Sequence, residues 1–197
     1  MIKYPKGSNI PKPRTKSINK SNLGQSLEED LNQTNRYYRE TNKALVYKKP
    51  TPVQVVSVDF PKRSAAKITE AYYKLPSTTD YNGICQGMPI DFEAKQTANK
   101  TRFPLSMIYD HQIEHLRAVD AHGGLSFLII RFTAHDETYF IEFQTFDHEL
   151  RSTQRRSIPY SWFVKYGNLV ERSYVAPCHY LPDMVKLINE RKETTYE

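Results

Sequence analysis

The sequence predicts an α/β domain built on a mixed central sheet, and three observations carry that prediction. Segments with strand alternation and segments with helical periodicity interleave along the chain. Residues 125–132 (LSFLIIRF) form a short, almost continuous apolar run, as a central strand buried on both faces requires. At 138–143, TYFIEF follows across a polar AHDE turn and reads as the antiparallel partner of that strand. Neither an internal repeat nor a glycine-rich phosphate loop is present.

Ordered structure is expected to begin near Ser26. Ser26-Leu27-Glu28-Glu29 has the spacing of a capping box, in which Ser26 and Glu29 satisfy each other's main-chain amides. A helix is predicted from there through residue 44, with Leu27, Leu31, Thr34/Asn35 and Tyr38 on one face. Residues 44–48 (ALVYK) suit a short strand halted by Pro50 and Pro52. VQVVSVDF alternates as a strand, PKRS reads as a turn, and AAKITEAYYKL suits a strand or a short helix. Residues 77–95 read as turn, strand, turn, strand; a helix is predicted at about 107–121, ended by Gly123-Gly124. A mixed segment carrying the only tryptophan, Trp162, precedes a final amphipathic helix near 181–192.

Charge is unevenly spread. Residues 1–25 contain six Lys/Arg (Lys3, Lys6, Lys12, Arg14, Lys16, Lys20) and no acid, whereas the rest of the chain holds 22 of each sign. The net charge of +6 therefore belongs to the N-terminal segment. That segment is also rich in Pro, Ser and Asn, so it buries too little apolar surface to offset ordering entropy and is expected to be a disordered basic arm. Such an arm contacts phosphate backbones or acidic surfaces, or serves only as a solubilising tail. Residues 26–197 form the expected single domain. Cys85 and Cys178 lack any framework or CxxC spacing, which argues against disulfides and zinc–thiolate sites and for a reducing, cytoplasmic setting. No stretch approaches the ~20 apolar residues of a membrane span.

Pro89–Lys95 holds the candidate chemistry. In a strand, Ile90, Phe92 and Ala94 face one side, and Asp91, Glu93 and Lys95 face the other. Asp80 lies thirteen residues before Glu93, in a polar turn opening a strand that would pair with 90–95 as a hairpin and bring Asp80 alongside Glu93. Converging carboxylates repel unless a proton or cation sits between them. Oxygen ligands of this kind favour Mg²⁺ or Mn²⁺ over zinc. A lysine beside them suits phosphodiester cleavage, where an ammonium stabilises charge building on phosphorus. The D-x(n)-ExK pattern is degenerate, and a solvated sheet face with these residues on its polar side is the competing reading. His111 and His115 stand at i, i+4 as in a zinc pair, but Gln112 occupies the place where the zincin pattern needs Glu. Helix-surface histidines fit better.

Residues 43–75 carry seven Lys/Arg against two acids, with Tyr72 and Tyr73 near the end. They read as a basic, hairpin-like projection or as an edge hairpin protected by lysines.

Taken together, KKPTPVQVVSVDFPKRSAAKITEAYYK, STTDYNG, IDFEAKQTANKTRFPL and DHQIEHL closely resemble the RecU family of bacterial Holliday-junction resolvases. The blocks run from Lys48 to Leu116, about a third of the chain. The helix beginning SLEEDL also resembles the family, although Asn22-Leu23-Gly24-Gln25 before it lacks the arginine usual there. Beyond residue 132 the likeness thins to length and general pattern.

The resemblance implies a restriction-endonuclease-like fold: a mixed sheet flanked by helices, with a stalk protruding at about 50–75. It implies a homodimer that cuts opposing strands of four-way junctions with Mg²⁺ (Mn²⁺ able to substitute), in homologous recombination and DNA repair. Thr78, Asp80, Glu93 and Gln112 would ligate the metal, Asp80, Glu93 and Lys95 would be catalytic, and Lys95 would stabilise the transition state. Asp91 shares their strand face without being a ligand. Affinity is expected from phosphate contacts and selectivity from junction shape. Lys48, Lys49, Lys62, Arg63, Lys67, Lys74 and the arm are the phosphate-contact candidates; Tyr72 and Tyr73 either stack on exposed bases or pack into the stalk's base. A recombinase or branch-migration protein is a possible partner class. Two other functions compete: a non-catalytic DNA-binding or strand-annealing protein, and a duplex-specific nuclease of the same fold.

Overall fold

A computed structural model describes residues 26–73 and 78–195, with the side chains of Tyr73, Thr194 and Thr195 left aside. The basic arm at 1–25, together with Lys74 and Ser77, lies outside the described residues.

Helix α1 (Leu27–Glu40) starts where the capping box places it, with Ser26 Oγ accepting from the Glu29 amide at 3.2 Å and Glu29 Oε2 accepting from the Ser26 amide at 2.9 Å. It stops four residues short of the expected end, where Thr41 caps it and Asn42 turns to φ 53°. Strand β1 (Leu45–Lys48) follows. Strands β2 (Val53–Asp59) and β3 (Lys67–Tyr73) form a separate two-stranded hairpin, so the AAKITEAYYKL segment is a strand. Every residue of β2 is exposed, and Phe60 at its end is 63% exposed. This hairpin projects from the sheet instead of covering it.

Strand β4 (Tyr81–Cys85) turns through Gln86 and Gly87, both at positive φ as a tight hairpin requires, into β5 (Met88–Thr97). A short β6 (Arg102–Pro104) precedes helix α2 (Asp110–Ala121), which begins three residues later than expected because 105–107 form a 3₁₀ turn. Then come β7 (Leu125–Phe132) and β8 (Glu137–Glu142). The C-terminal part holds α3 (Phe143–Ser152), β9 (Ser157–Pro159), α4 (Tyr160–Tyr166), β10 (Asn168–Leu169) and α5 (Leu181–Thr195).

Among the described residues six strands form the central sheet in the order β1-β4-β5-β7-β8-β10; β5 and β7 are parallel and the other pairs antiparallel, so the sheet is mixed as expected. Helices α1 and α5 cover one face through Leu31, Tyr38, Met184 and Ile188, packed on Phe92, Phe127 and Phe140. Helices α2, α3 and α4 cover the other through Leu116, Phe146 and Phe163, packed on Leu128, Ile130 and Ile141. The small β6–β9 pair lies outside the main sheet. All eight residues of β7 are buried, which is why its sequence is apolar without alternation.

Under α1 and α5, aromatic rings run from strand to strand: Tyr81 on Phe92 at 4.8 Å, Phe92 on Phe127 at 4.5 Å, and Phe127 beside Phe140 at 4.6 Å. Such same-face neighbours stabilise one register over its alternatives. Gly83 removes a further freedom, since a Cβ there would lie 2.1 Å from the Leu45 carbonyl oxygen. Register matters because Tyr81 pairs with Phe92, which sets Asp80 against Glu93 at the next position. A slip of one residue would turn every side chain of β5 to the opposite face.

Candidate active site

Strand alternation puts Ile90 and Phe92 in the core under α1, and Asp91, Glu93 and Lys95 on the side that α2 covers. That second side is not a solvated sheet face: Glu93 is fully buried and Asp91 is 7% exposed. The Asp80 main-chain amide donates to Glu93 Oε2 at 3.1 Å, and the Ala94 amide donates to Asp80 Oδ2 at 3.2 Å. Lys95 Nζ donates to Glu93 Oε1 and stands 3.8 Å from Asp80 Oδ2. The structure thus brings Asp80, Glu93 and Lys95 together, with main-chain bonds holding both carboxylates.

One ammonium serves two carboxylates here. Burial pushes the Glu93 carboxyl up to about 7, and the neighbouring Asp80 charge adds to the rise, with Lys95 opposing it. Among the described residues the cluster therefore lacks a full countercharge. Among the described residues no three of His, Cys, Asp and Glu gather as a metal site. The donor set is instead a pair of hard carboxylates, which fits a hydrated divalent cation of the Mg²⁺ type.

The neutral oxygen donors Thr78 and Gln112 have other contacts. Thr78 is exposed, and its Oγ1 accepts from Lys49 Nζ at 2.9 Å. Gln112, on the first turn of α2, is 6% exposed, and its Oε1 accepts from the Tyr109 amide at 3.0 Å. The two histidines of the HQIEH run diverge: His115 Nε2 lies 3.1 Å from Asp91 Oδ2, while His111 stacks on the exposed Tyr109 ring.

The phosphate-contact candidates separate into three groups. Lys62, Arg63 and Lys67 are exposed at the tip of the hairpin, and Tyr72 on its flank is 61% exposed, donating to Glu70 Oε1 at 2.6 Å. Lys48 is half-exposed and paired with Glu28 at 2.6 Å. Lys49 points inward, with Nζ 2.7 Å from Asp91 Oδ2. Tyr73 ends β3, and Lys74 lies outside the described residues.

Two polar arrangements escaped the sequence reading. Arg131 of β7, 3% exposed, reaches Asp30 of α1, 1% exposed, at 2.7 Å and also donates to Thr138 Oγ1 at 2.8 Å. Gln96 accepts the Leu27 amide at 3.0 Å and so docks the start of α1 beside the site strand. An arginine inside an otherwise apolar strand is a local signal of such a buried partner; nothing local identifies the partner.

The family model RecU, "Recombination protein U", matches residues 22–186. The chain is 52% identical over 170 residues to a "Holliday junction resolvase RecU" of Oceanobacillus iheyensis, covering 85% of this chain and 87% of the relative. It is 47% identical over 199 residues to the protein of that name from a Geobacillus species, covering 95% and 98%. The solved structure of Archaeoglobus fulgidus Hjc, a Holliday junction resolvase, superposes with a TM-score of 0.38 at 12% identity, over 68% of this chain and 93% of that one, a likeness too slight to argue from. A family model spanning most of the chain, with relatives near half identical along most of their length, places the chain in the RecU family of recombination proteins.

Proposed function

We propose that this chain is a structure-selective endonuclease that resolves four-way DNA junctions by Mg²⁺-dependent phosphodiester hydrolysis. The observation that carries the reading is the convergence of Asp80, Glu93 and Lys95 on the polar side of β5, in a chain whose half-identical relatives bear the name Holliday junction resolvase.

Asp80 and Glu93 would hold the ion, with Thr78 and Gln112 as further oxygen donors. When bound, the ion supplies Lewis acidity toward a phosphoryl oxygen and favours ionisation of water. The chain's own residues do the rest. The main-chain amides of Asp80 and Ala94 fix the Glu93 and Asp80 carboxylates, respectively, before substrate arrives, so little reorganisation is left for the reaction. Lys95, its side chain 20% exposed, directs its ammonium at the same space and stabilises charge building on phosphorus. For ligand duty, Gln112 Oε1 would use the lone pair left by its bond from the Tyr109 amide.

Junction selectivity follows from shape. The projecting hairpin carries Lys62, Arg63 and Lys67 clear of the body and presents Tyr72 for stacking. A two-fold dimer would offer one site to each of two equivalent strands. The reading includes a cytoplasmic setting and a role in recombination and repair.

The test is cleavage of a synthetic four-way junction beside a matched duplex in Mg²⁺, wild type against Asp80→Asn. The wild type is expected to cut the junction in preference to the duplex, and Asp80→Asn neither. A wild type that leaves the junction whole in both Mg²⁺ and Mn²⁺, or cuts both substrates equally, rejects the reading.

A further inference from the structure

We propose that Lys49 is a positioning residue of the cleavage site, holding the segment that carries Thr78 and Asp80 in place by clamping it to Asp91, and that it is not a phosphate contact. This rests on the function proposed above. It differs from the sequence reading, in which Lys49 stood beside Lys48 as one more basic residue facing DNA.

The geometry uses every donor the side chain has. An ammonium carries three N–H groups. Nζ of Lys49 lies 2.7 Å from Asp91 Oδ2, 2.7 Å from Thr79 Oγ1 and 2.9 Å from Thr78 Oγ1. Thr79 in turn donates to Asp91 Oδ1, and His115 Nε2 approaches Asp91 Oδ2 at 3.1 Å from α2. The Lys49 main chain joins in, its amide donating to the Asp80 carbonyl at 2.8 Å. The side chains of Lys49 and Asp91 are only 15% and 10% exposed. A buried charge pair with its hydrogen bonds satisfied in this way is not available to a phosphate without breaking the set.

Sheet order explains what the clamp is for. Strands β1 and β5 are not neighbours; β4 lies between them and is hydrogen-bonded to both. Those ladders already hold the strands together. The lysine adds a grip on 78–80, the segment just before β4 begins at Tyr81. Lys49 and Thr78 also flank the projecting hairpin, so their bond closes its base. The same bond joins that base to a residue that is itself a proposed ligand. Asp91, two residues before Glu93 on the same side of β5, is the fixed end of the clamp.

The test compares Lys49→Met and Lys49→Arg with wild type in three measurements. These are kcat and KM for junction cleavage in Mg²⁺, the slope of junction affinity against salt without metal, and thermal midpoint. A positioning lysine predicts that both variants lose kcat by about 10- to 100-fold, as residues supporting a metal site commonly do. Arginine fails because a planar guanidinium does not match three acceptors arranged around an ammonium. KM and the salt slope should stay at wild-type values.

A phosphate contact predicts the reverse. Lys49→Met would lower the slope by about one ion, and Lys49→Arg would restore both slope and cleavage; that pattern overturns the proposal, as does wild-type kcat in Lys49→Met. Should Lys49→Met fold poorly by its thermal midpoint, Lys49→Arg decides alone. Lowered kcat at unchanged affinity supports the clamp, and wild-type cleavage removes it. A wild type that cuts no junction defeats the proposed function separately, and a slope reduced in Lys49→Met would still overturn the inference.

Discussion

The Asp80 amide donates to Glu93 Oε2 at 3.1 Å although thirteen residues and a hairpin turn separate the two. Pairing Tyr81 with Phe92 makes this contact unavoidable, and the stacked rings of those two residues hold the register. Both carboxylates thus meet on one side of β5 beside Lys95.

Charge removal at this pair should separate binding from cleavage. Asp80→Asn and Glu93→Gln should each abolish junction cutting. Each should tighten metal-free junction binding roughly fivefold, since about 1 kcal/mol of repulsion toward phosphate is removed. Band-shift titration at fixed salt checks this; weaker binding by both variants would mean the carboxylates do not face DNA.

The Glu93 carboxyl, raised from 4.5 to about 7 chiefly by burial and then by Asp80, should leave a mark on stability. Between those pH values the folded protein binds more protons at this group than the unfolded chain does. The group's contribution is therefore fully present below about pH 4.5 and lost as pH rises through about 7, an effect on the order of 3 kcal/mol. Glu93→Gln should be flatter than wild type across that window in urea unfolding of the metal-free protein. Parallel curves would remove Glu93 as the source.

Asp30 and Arg131 form a buried ion pair between α1 and β7. Asp30→Ala strands the guanidinium and should cost about 3–5 kcal/mol, whereas replacing both partners with apolar residues of similar volume should cost far less. Chemical denaturation of the three proteins decides it, and a loss below about 1 kcal/mol for Asp30→Ala would show the pair to be dispensable.

The hairpin of β2 and β3 buries none of β2, so its tip contributes little to folding. Replacing the tip around Lys62-Arg63 with a tight two-residue turn should shift stability by no more than about 0.5 kcal/mol, as for surface changes generally. The same change should reduce the preference for junction over duplex in competition binding. An unchanged preference would dissociate the hairpin from junction recognition.

Several elements were legible because they depend on neighbours in the chain. The capping box at Ser26, the apolar run of β7, the Gln86-Gly87 turn and the alternation of β5 each follow from local geometry. Helix α3 was not legible, since Phe143 prolongs the apolar, aromatic run of β8 by one residue while the chain has already turned helical. The start of α2 was overextended for a similar reason: 105–107 adopt a helix-like turn that stops before Asp110. Among the site residues, Asp80, Glu93 and Lys95 were legible through strand period and hairpin spacing. The inward turn of Lys49 was not, because its partner Asp91 lies 42 residues away on a strand that is not its neighbour.

The sequence by itself determined that the chain builds a mixed α/β sheet, that Asp91, Glu93 and Lys95 share one side of a strand, and that a basic segment interrupts the fold ahead of them. Only the tertiary structure decided what that side meets. The pattern alone allowed a solvated face, yet α2 packs over it, Glu93 loses all contact with water, and Asp91 pairs with Lys49 and His115. Periodicity is set by backbone geometry within a few residues. Desolvation is set by whichever distant element comes to lie on top, and the charge state of Glu93 follows from it.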